Sequence, residues 1–147
     1  MGLFDALSVS GSGLSAERLR MDVTAENLAN AQTTRTASGG PYRRKVVTLQ
    51  EAGGGFDTAL AAASSVQSGS APGGVEVAGI AEDTTPDRMV YDPGHPDADA
   101  NGYVKMPNVN PVSEMVDLIS SSRAYEADVT AMQAAKSMFS KTLDILR

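Results

Sequence analysis

Apolar side chains recur at steps of three and four residues through the first thirty positions of the chain. The series is Phe4, Leu7, Gly11, Leu14, Arg18, Met21, Ala25 and Leu28, and six of its eight members are apolar. Such spacing predicts an amphipathic helix with a heptad seam. Gly11 and Gly13 each weaken a helix by about 1 kcal/mol relative to alanine. The pattern therefore predicts either one continuous helix or a break there, with Ser12 or Ser15 capping a second piece.

The last forty residues repeat this pattern and carry a strong start signal. Asn110 and Pro111 combine an N-cap side chain with a proline at the first helical position. Glu114 and Asp117 then lie near the positive end of the helix dipole. The apolar series runs through Met115, Leu118, Ser122, Tyr125, Val129, Met132, Lys136, Phe139, Leu143 and Leu146. We predict one helix from about residue 111 to the C-terminus, about 50 Å long at 1.5 Å per residue.

Between the two helices the pattern changes to short runs rich in valine, tyrosine and isoleucine, bounded by glycine, proline and aspartate. These runs are Tyr42 to Leu49, Gly74 to Ile80, Arg88 to Tyr91, and Gly102 to Lys105. They predict strands of a small antiparallel sheet. The segment from Gly53 to Gly74 is rich in alanine, glycine and serine, which predicts a flexible loop with a short helix at Phe56 to Ala63.

The fold class predicted from these elements is α+β. Long N- and C-terminal helices pair in a coiled-coil-like manner, with a small antiparallel β insert between them. The expected organisation is an N-terminal axial helix at 1–34, a strand-rich middle at 35–106 with its loop at about 53–73, and a C-terminal axial helix at 107–147. One interpretation is a two-helix hairpin that caps the sheet, and the other is a subunit whose helices pack into neighbouring subunits. The second is favoured, because long seams with a thin core favour burial by association.

The composition of the chain argues against several classes of function. Only 5% of the residues are aromatic, there is no cysteine, and the single histidine is His95. A zinc site that needs thiolates or several imidazoles is therefore excluded within one chain, and no catalytic motif accompanies His95. The formal net charge of −6 argues against sequence-independent binding of nucleic acid. We expect no enzymatic activity, no catalytic or cofactor-binding residues, no metal and no small-molecule substrate.

One acidic motif supports a competing hypothesis. The residues from Asp97 to Gly102 match the first half of an EF-hand loop, but Asn108 stands where a bidentate glutamate is required. The simpler interpretation is a turn in which these side chains accept backbone hydrogen bonds. A calcium-binding module of the cell envelope, using the loop from Asp97 to Asn101, is kept as the alternative function.

Several ordered motifs resemble bacterial flagellar rod and hook proteins. Near the N-terminus they are Ser12 to Asp22, Ala25 to Asn30, and Thr33-Thr34. Further along they are Gly40 to Lys45, Gly74 to Val77, Val90 to Asp97, Gly102 to Val104, Met106 to Asn110, and Arg123 to Ala127, and these resemble the proximal rod members. The resemblance covers nearly the whole chain except the loop at about 53–73.

This resemblance implies a structural subunit of the basal-body rod, the shaft that passes torque from the motor to the hook. It implies helical assembly with other rod proteins and with copies of itself. It also implies a periplasmic rod location, reached through the flagellar type III export apparatus without a cleaved signal peptide. The family places its terminal helices in the inner tube and the strand-rich middle outside.

The residues expected at subunit interfaces combine both seams with two asparagines. They are Phe4, Leu7, Leu14, Met21, Ala25, Asn27, Leu28, Asn30, Met115, Leu118, Tyr125, Val129, Met132, Phe139, Leu143 and Leu146. The large apolar members are expected to pair within or across subunits. Asn27 and Asn30 are expected to end the first helix and to place the segment that follows.

Overall fold

A computed structural model describes residues 3–37, 39–52 and 73–145 of the chain. The described elements, in chain order, are α1 (Leu3–Ala29), β1 (Lys45–Glu51), β2 (Val75–Glu82), β3 (Arg88–Tyr91), β4 (Tyr103–Met106) and α2 (Pro111–Ile145). Two long terminal helices therefore flank short strands, and the predicted α+β class is confirmed. The short helix predicted at Phe56 to Ala63 lies outside the described residues.

The first helix runs without interruption through both glycines, so the predicted alternative of a break with a second cap is wrong. Ser12 instead donates its hydroxyl to the carbonyl of Val9, at 2.7 Å, and accepts the backbone N–H of Val75, at 2.9 Å. Packing against the start of β2 and against α2 therefore outweighs the helix penalty of Gly11 and Gly13.

The first helix ends at the predicted asparagine. The backbone N–H and the side-chain amide of Asn30 both donate to the carbonyl of Glu26, at 3.1 and 2.9 Å. Thr33 donates its hydroxyl to Asn30 Oδ1, at 3.1 Å. These bonds satisfy helix-end groups that would otherwise be orphaned, and they turn the chain away from the helix axis.

The second helix begins at Pro111, as predicted. Asn110 Oδ1 accepts the N–H of Val112 at 3.0 Å, and the Asn110 carbonyl accepts the N–H of Glu114 at 3.0 Å. This helix has 35 residues, which corresponds to about 50 Å at 1.5 Å per residue.

The strands form two separate antiparallel pairs, β1 with β2 and β3 with β4, where the sequence predicted one small sheet. The first pair has an irregularity between Thr48 and Leu49. After β2, the carboxylate of Asp83 accepts both the N–H and the hydroxyl of Thr85. This turn, followed by Pro86, which has no N–H to donate, separates the two pairs.

The two helices pack antiparallel over most of the length of α1. Asn27 hydrogen-bonds Glu114, and a side chain built at Gly13 would meet the carboxylate of Asp128. The chain advances 14 residues from Gly13 to Asn27 and 14 from Glu114 to Asp128, which is two heptads on each helix. The constant register is that of a coiled-coil-like pair.

Candidate assembly surface

The junction of the two helices is held by a buried polar cluster, named here the polar clamp: Asn27, Tyr42, Arg44 and Glu114. Asn27 is 1% exposed and uses all of its amide hydrogen-bonding capacity. Its Nδ2 donates to the carbonyl of Lys45 at 2.8 Å and to Glu114 Oε2 at 3.1 Å. Its Oδ1 accepts the Tyr42 hydroxyl and the Lys45 N–H, both at 2.9 Å.

Glu114 is also 1% exposed, and its other oxygen accepts the Arg44 guanidinium at 2.6 Å. Arg44 lies 3.5 Å from Asp117 and 3.9 Å from Asp83 as well. The hydrogen bond that Arg44 donates to Glu114 raises the pKa of Arg44 above its ordinary value. The buried carboxylate accepts hydrogen bonds from one charged donor and one amide donor, and these bonds compensate for its loss of hydration. The conformation of this corner of the molecule is therefore strongly specified.

The segment before β1 is attached to both helices through the clamp. Burial raises the pKa of the Tyr42 phenol, and the hydrogen bond that Lys45 donates to Glu26 raises the pKa of Lys45. The Arg44 N–H donates to Asn108 Oδ1 at 3.0 Å. The end of α1, the start of β1 and the start of α2 are thus joined at one point.

Opposite the buried side of α2, four large apolar side chains are exposed to solvent. We name Val112, Met115, Val116 and Ile119 the outer stripe; they are between 45% and 65% exposed. At 100° per residue these four positions fall on one face, which lies on the far side of the helix from Glu114 and Ser121. Their exposure is unusual, because a solvated helix face is normally polar.

A second exposed apolar group lies near the C-terminal end of α2. Met138, Phe139 and Leu143 are 55%, 42% and 50% exposed. In the register of the helix pair, Leu3 lies opposite about residue 138. The described end of α2 therefore extends past the described start of α1, and its apolar side chains are accessible to other molecules.

The predicted seam residues do not all lie where the helices pack most tightly. On α1, Leu7, Leu14, Met21 and Leu28 are half-buried and Ala25 is exposed. The buried positions are instead Ala16, Val23, Thr24 and Asn27. The buried face is shifted because β1 docks on α1 through Asn27 and β2 docks on α1 through Ser12, so α1 packs against strands as well as against α2.

On α2, the predicted apolar series is half-buried only between residues 118 and 132. Leu118, Tyr125, Val129 and Met132 are half-buried, whereas Met115, Phe139 and Leu143 are exposed. The most buried positions, Glu114, Ser121 and Ala135, are separated by 7 and 14 residues, which are multiples of a heptad, and are polar or small. The side chains of Phe4 and Leu146 lie outside the described residues.

The local roles predicted for the two asparagines are divided between them: Asn30 bonds the last turn of α1, and Asn27 places the segment before β1. Their assignment to a subunit interface, like that of the apolar seam residues, stays a prediction. Three residues of the outer stripe, Val112, Val116 and Ile119, were missed because they lie outside the best heptad seam. Their spacing of three and four residues was the available signal.

The strand insert presents an aromatic face of its own. Tyr91 and Tyr103 are exposed, paired across β3 and β4, and their rings meet edge to face with centroids 5.3 Å apart. Gly102 precedes this pair at φ +80°, where a Cβ would meet the Tyr91 ring. Glycine is therefore required for this turn.

The acidic motif forms a turn. Asp99 Oδ1 accepts the N–H of Asn101 at 2.8 Å, and Asp97 accepts the Thr34 hydroxyl at 2.8 Å. Within residues 3–37, 39–52 and 73–145, no group of three or more acidic or histidine side chains is arranged to hold a metal ion. Among the same residues, neither helix is long and apolar enough to cross a membrane.

Comparison with known proteins gives matches along nearly the whole chain. Residues 7–35 match the family model described as flagella basal body rod protein, and residues 100–145 match that of the flagellar basal body rod FlgEFG protein C-terminal. The flagellar basal-body rod protein FlgC of Bacillus subtilis is 52% identical, with 99% of each chain covered. That of Borreliella burgdorferi is 45% identical over 100% of this chain and 99% of its own. That of Salmonella typhimurium is 44% identical over 99% and 98%.

The matched segments contain most of α1 with the turn that follows it, and β4 with α2. They include the whole outer stripe and, from the polar clamp, Asn27 and Glu114, whereas Tyr42 and Arg44 lie between the two segments. With identities of 44% to 52% across almost the full length of these relatives, the chain belongs to the FlgC family of flagellar basal-body rod proteins.

Proposed function

We propose that this chain is a non-enzymatic building block of the flagellar rod. It polymerises with copies of itself and with other rod proteins into the helical shaft that transmits motor torque to the hook. The single observation that carries this proposal is the outer stripe, because four large apolar side chains on a long helix remain in contact with water. Burial of such a surface against a neighbouring subunit is favourable by about 25 cal/mol per Å².

The proposed interface combines this stripe with the apolar end of α2 and with the half-buried seam of α1. A contact between different patches on successive subunits generates an open helical assembly when the rotation between subunits does not close a ring. The polar clamp holds α1 and α2 in one arrangement, which would present the same surfaces to each incoming subunit.

We further propose that the chain reaches the periplasmic part of the rod through the flagellar export apparatus, without a cleaved signal peptide. The absence of cysteine suits this route, because no disulfide forms or must be reduced during passage. No observation on the described residues favours the calcium-binding alternative, since Asp97 accepts the Thr34 hydroxyl and Asp99 accepts the N–H of Asn101 within the turn.

Replacement of two outer-stripe residues tests the proposal. Val116 and Ile119 are 60% and 52% exposed, so Val116→Ser with Ile119→Ser should change the free energy of unfolding of the isolated chain by only about 1 kcal/mol in total. The same double variant should abolish swimming when its gene replaces the chromosomal copy in the source bacterium. Urea unfolding and motility in soft agar measure the two effects.

The matched control is Gln133→Ser, an exposed polar position on the same helix. It should leave both stability and swimming unchanged. Normal swimming by the double variant would contradict the assignment of the outer stripe to the subunit interface.

A further inference from the structure

The contact between α1 and α2 is made of small side chains along much of its length. Ala16, Ser121 and Ala135 are at most 5% exposed, and Gly13 faces Asp128. A shift of one helix by seven residues, about 10 Å along the axis, would return equivalent heptad positions to each other. Small side chains oppose such a shift weakly, so apolar packing alone specifies the register poorly.

The polar clamp does not tolerate this shift. A displacement of about 10 Å would separate Asn27 from Glu114, whose side chains are 3.1 Å apart in the observed register. It would also remove Glu114 from Arg44, at 2.6 Å, and leave a carboxylate buried without donors. An uncompensated buried charge is costly enough to exclude the shifted arrangement.

We propose that the polar clamp is a register lock: Asn27, Arg44 and Glu114 specify which heptads of α1 and α2 face each other. A buried ion pair contributes little net stability compared with apolar residues of similar size, and specification of register is the best-attested use of such groups. This inference concerns the fold of one subunit, so it goes beyond the proposed role in the rod and does not rest on it.

The lock differs from a simple stabilising contact in one measurable respect. If the cluster only stabilised the fold, its replacement by apolar residues would lower the free energy of unfolding. If it is a lock, the same replacement would allow more than one register of α1 and α2. Because Arg44 comes from the segment before β1, the same cluster also aligns the strand insert with the helix pair.

Spin labels can report the register directly. The chain has no cysteine, so Ala29→Cys and Gln133→Cys, both at exposed positions, provide two unique attachment sites on opposite helices. In the observed register these positions are about 30 Å apart along the axis. The full-length chain should give a single narrow distance by pulsed electron resonance, with excess unlabelled chain added to suppress distances between subunits.

In the triple variant Asn27→Leu, Arg44→Met, Glu114→Leu we expect a second distance, displaced from the first by about 10 Å. The midpoint of urea unfolding should fall less than in Glu114→Ala, because no charge is left buried and only the Tyr42 hydroxyl and the Lys45 backbone groups lose their partner. The matched control is Ser121→Ala, which removes a buried hydroxyl that has no hydrogen-bond partner among the described residues. It should keep the single distance.

A single unchanged distance in the folded triple variant would overturn the proposal, as would two distances in the unsubstituted chain. If the triple variant does not fold, the double variant Asn27→Leu, Glu114→Leu replaces it, since Arg44 keeps Asp117 and Asp83 as neighbours. Two distances there support the lock. One distance, or failure of this variant to fold, rejects it in favour of a stabilising role.

Discussion

The carboxylate of Glu114 joins α1 and the segment before β1 to the start of α2. Its position near the start of α2 predicted a favourable interaction with the helix dipole. The structure adds that its carboxylate is buried and accepts hydrogen bonds from Asn27 and Arg44. These partners lie 87 and 70 positions away along the chain, and no local pattern connects residues at that separation.

Truncation of this side chain should be strongly destabilising. Glu114→Ala leaves the Arg44 guanidinium and the Asn27 amide without their partner, and loss of one member of a buried pair costs about 3–5 kcal/mol. Urea unfolding followed by circular dichroism measures the loss. The control is Asp117→Ala, whose side chain is 48% exposed and 3.5 Å from Arg44, and which should cost less than about 1 kcal/mol. Equal losses in the two variants would rule out a special role for Glu114.

Tyr42 makes stability depend on pH in the alkaline range. Burial raises the pKa of its phenol above the ordinary 10.0, so the folded chain holds this proton more tightly than the unfolded chain. Below pH 10 both states are protonated and the contribution to stability is complete. Above pH 10 the unfolded chain releases its proton first, and the free energy of unfolding therefore falls.

The measurement is urea unfolding at pH 9 and pH 11, together with the ultraviolet absorbance of tyrosinate. Tyr42→Phe cannot ionise, so it should lose less stability over this interval than the unsubstituted chain. An identical loss in both proteins would show that other groups account for the alkaline dependence.

At the scale of elements, α1 keeps a glycine that its own packing does not require. A Cβ added at Gly11 would meet nothing within 4 Å, and this residue does not adopt a positive φ. Gly11→Ala should therefore stabilise the chain by about 0.5–1 kcal/mol, because alanine loses less backbone entropy in a helix. A rise in the midpoint of thermal unfolding would measure the gain.

The control for this prediction is Gly74→Ala, at the contact between α1 and the start of β2. A Cβ there would collide with the hydroxyl of Ser12, which already bonds Val9 and Val75. This substitution should lower stability by about 1–3 kcal/mol. If Gly11→Ala also destabilises the chain, the open space beside Gly11 is filled by something other than the described residues.

The bounds of the elements were largely predictable, and their mutual arrangement was not. Asn110 and Pro111 indicated the start of α2, and Asn30 indicated the end of α1, because capping residues bond backbone groups that are close in sequence. The heptad spacing predicted that the helices pair, but it placed the α1 seam on Leu7, Leu14 and Met21 rather than on Ala16 and Val23. That phase depends on where β2 docks, which is a contact between distant parts of the chain.

The same limit applies to the proposed interface. Exposure of Val116 and Ile119 follows from which side of α2 faces α1, and that side is selected by polar and small residues such as Glu114 and Ser121. A criterion based only on large apolar side chains would place Val116 and Ile119 on the buried side of α2. The outer stripe can therefore be identified only from the packing of α2 against α1.

At the scale of the whole molecule, burial is uneven along α2. Its described side chains from residue 136 to 144 are all exposed, whereas Glu114, Ser121 and Ala135 are buried. Backbone amides of residues 137–144 should exchange with deuterium faster than those of 114–135 in the isolated chain, because few tertiary contacts oppose local opening. Hydrogen exchange with mass spectrometry measures this difference.

Assembly should remove the difference. Amides of residues 137–144 are expected to become protected when the chain is mixed with its rod partners, while exchange in 114–135 changes little. Equal protection along all of α2 in the isolated chain at low concentration would indicate that its C-terminal end is already covered, contrary to the proposed interface.

The pairing of α1 with α2 also sets the order in which the subunit can form. The strand pairs join residues at most 37 positions apart, from Lys45 to Glu82, whereas Asn27 and Glu114 of the helix pair are 87 positions apart, so the helix pair has the higher contact order. A lone helix of the length of α1 is only marginally stable in water. Neither helix can pack stably until both segments are available. Folding of the chain is therefore complete only after α2 has been released from the ribosome or from a channel.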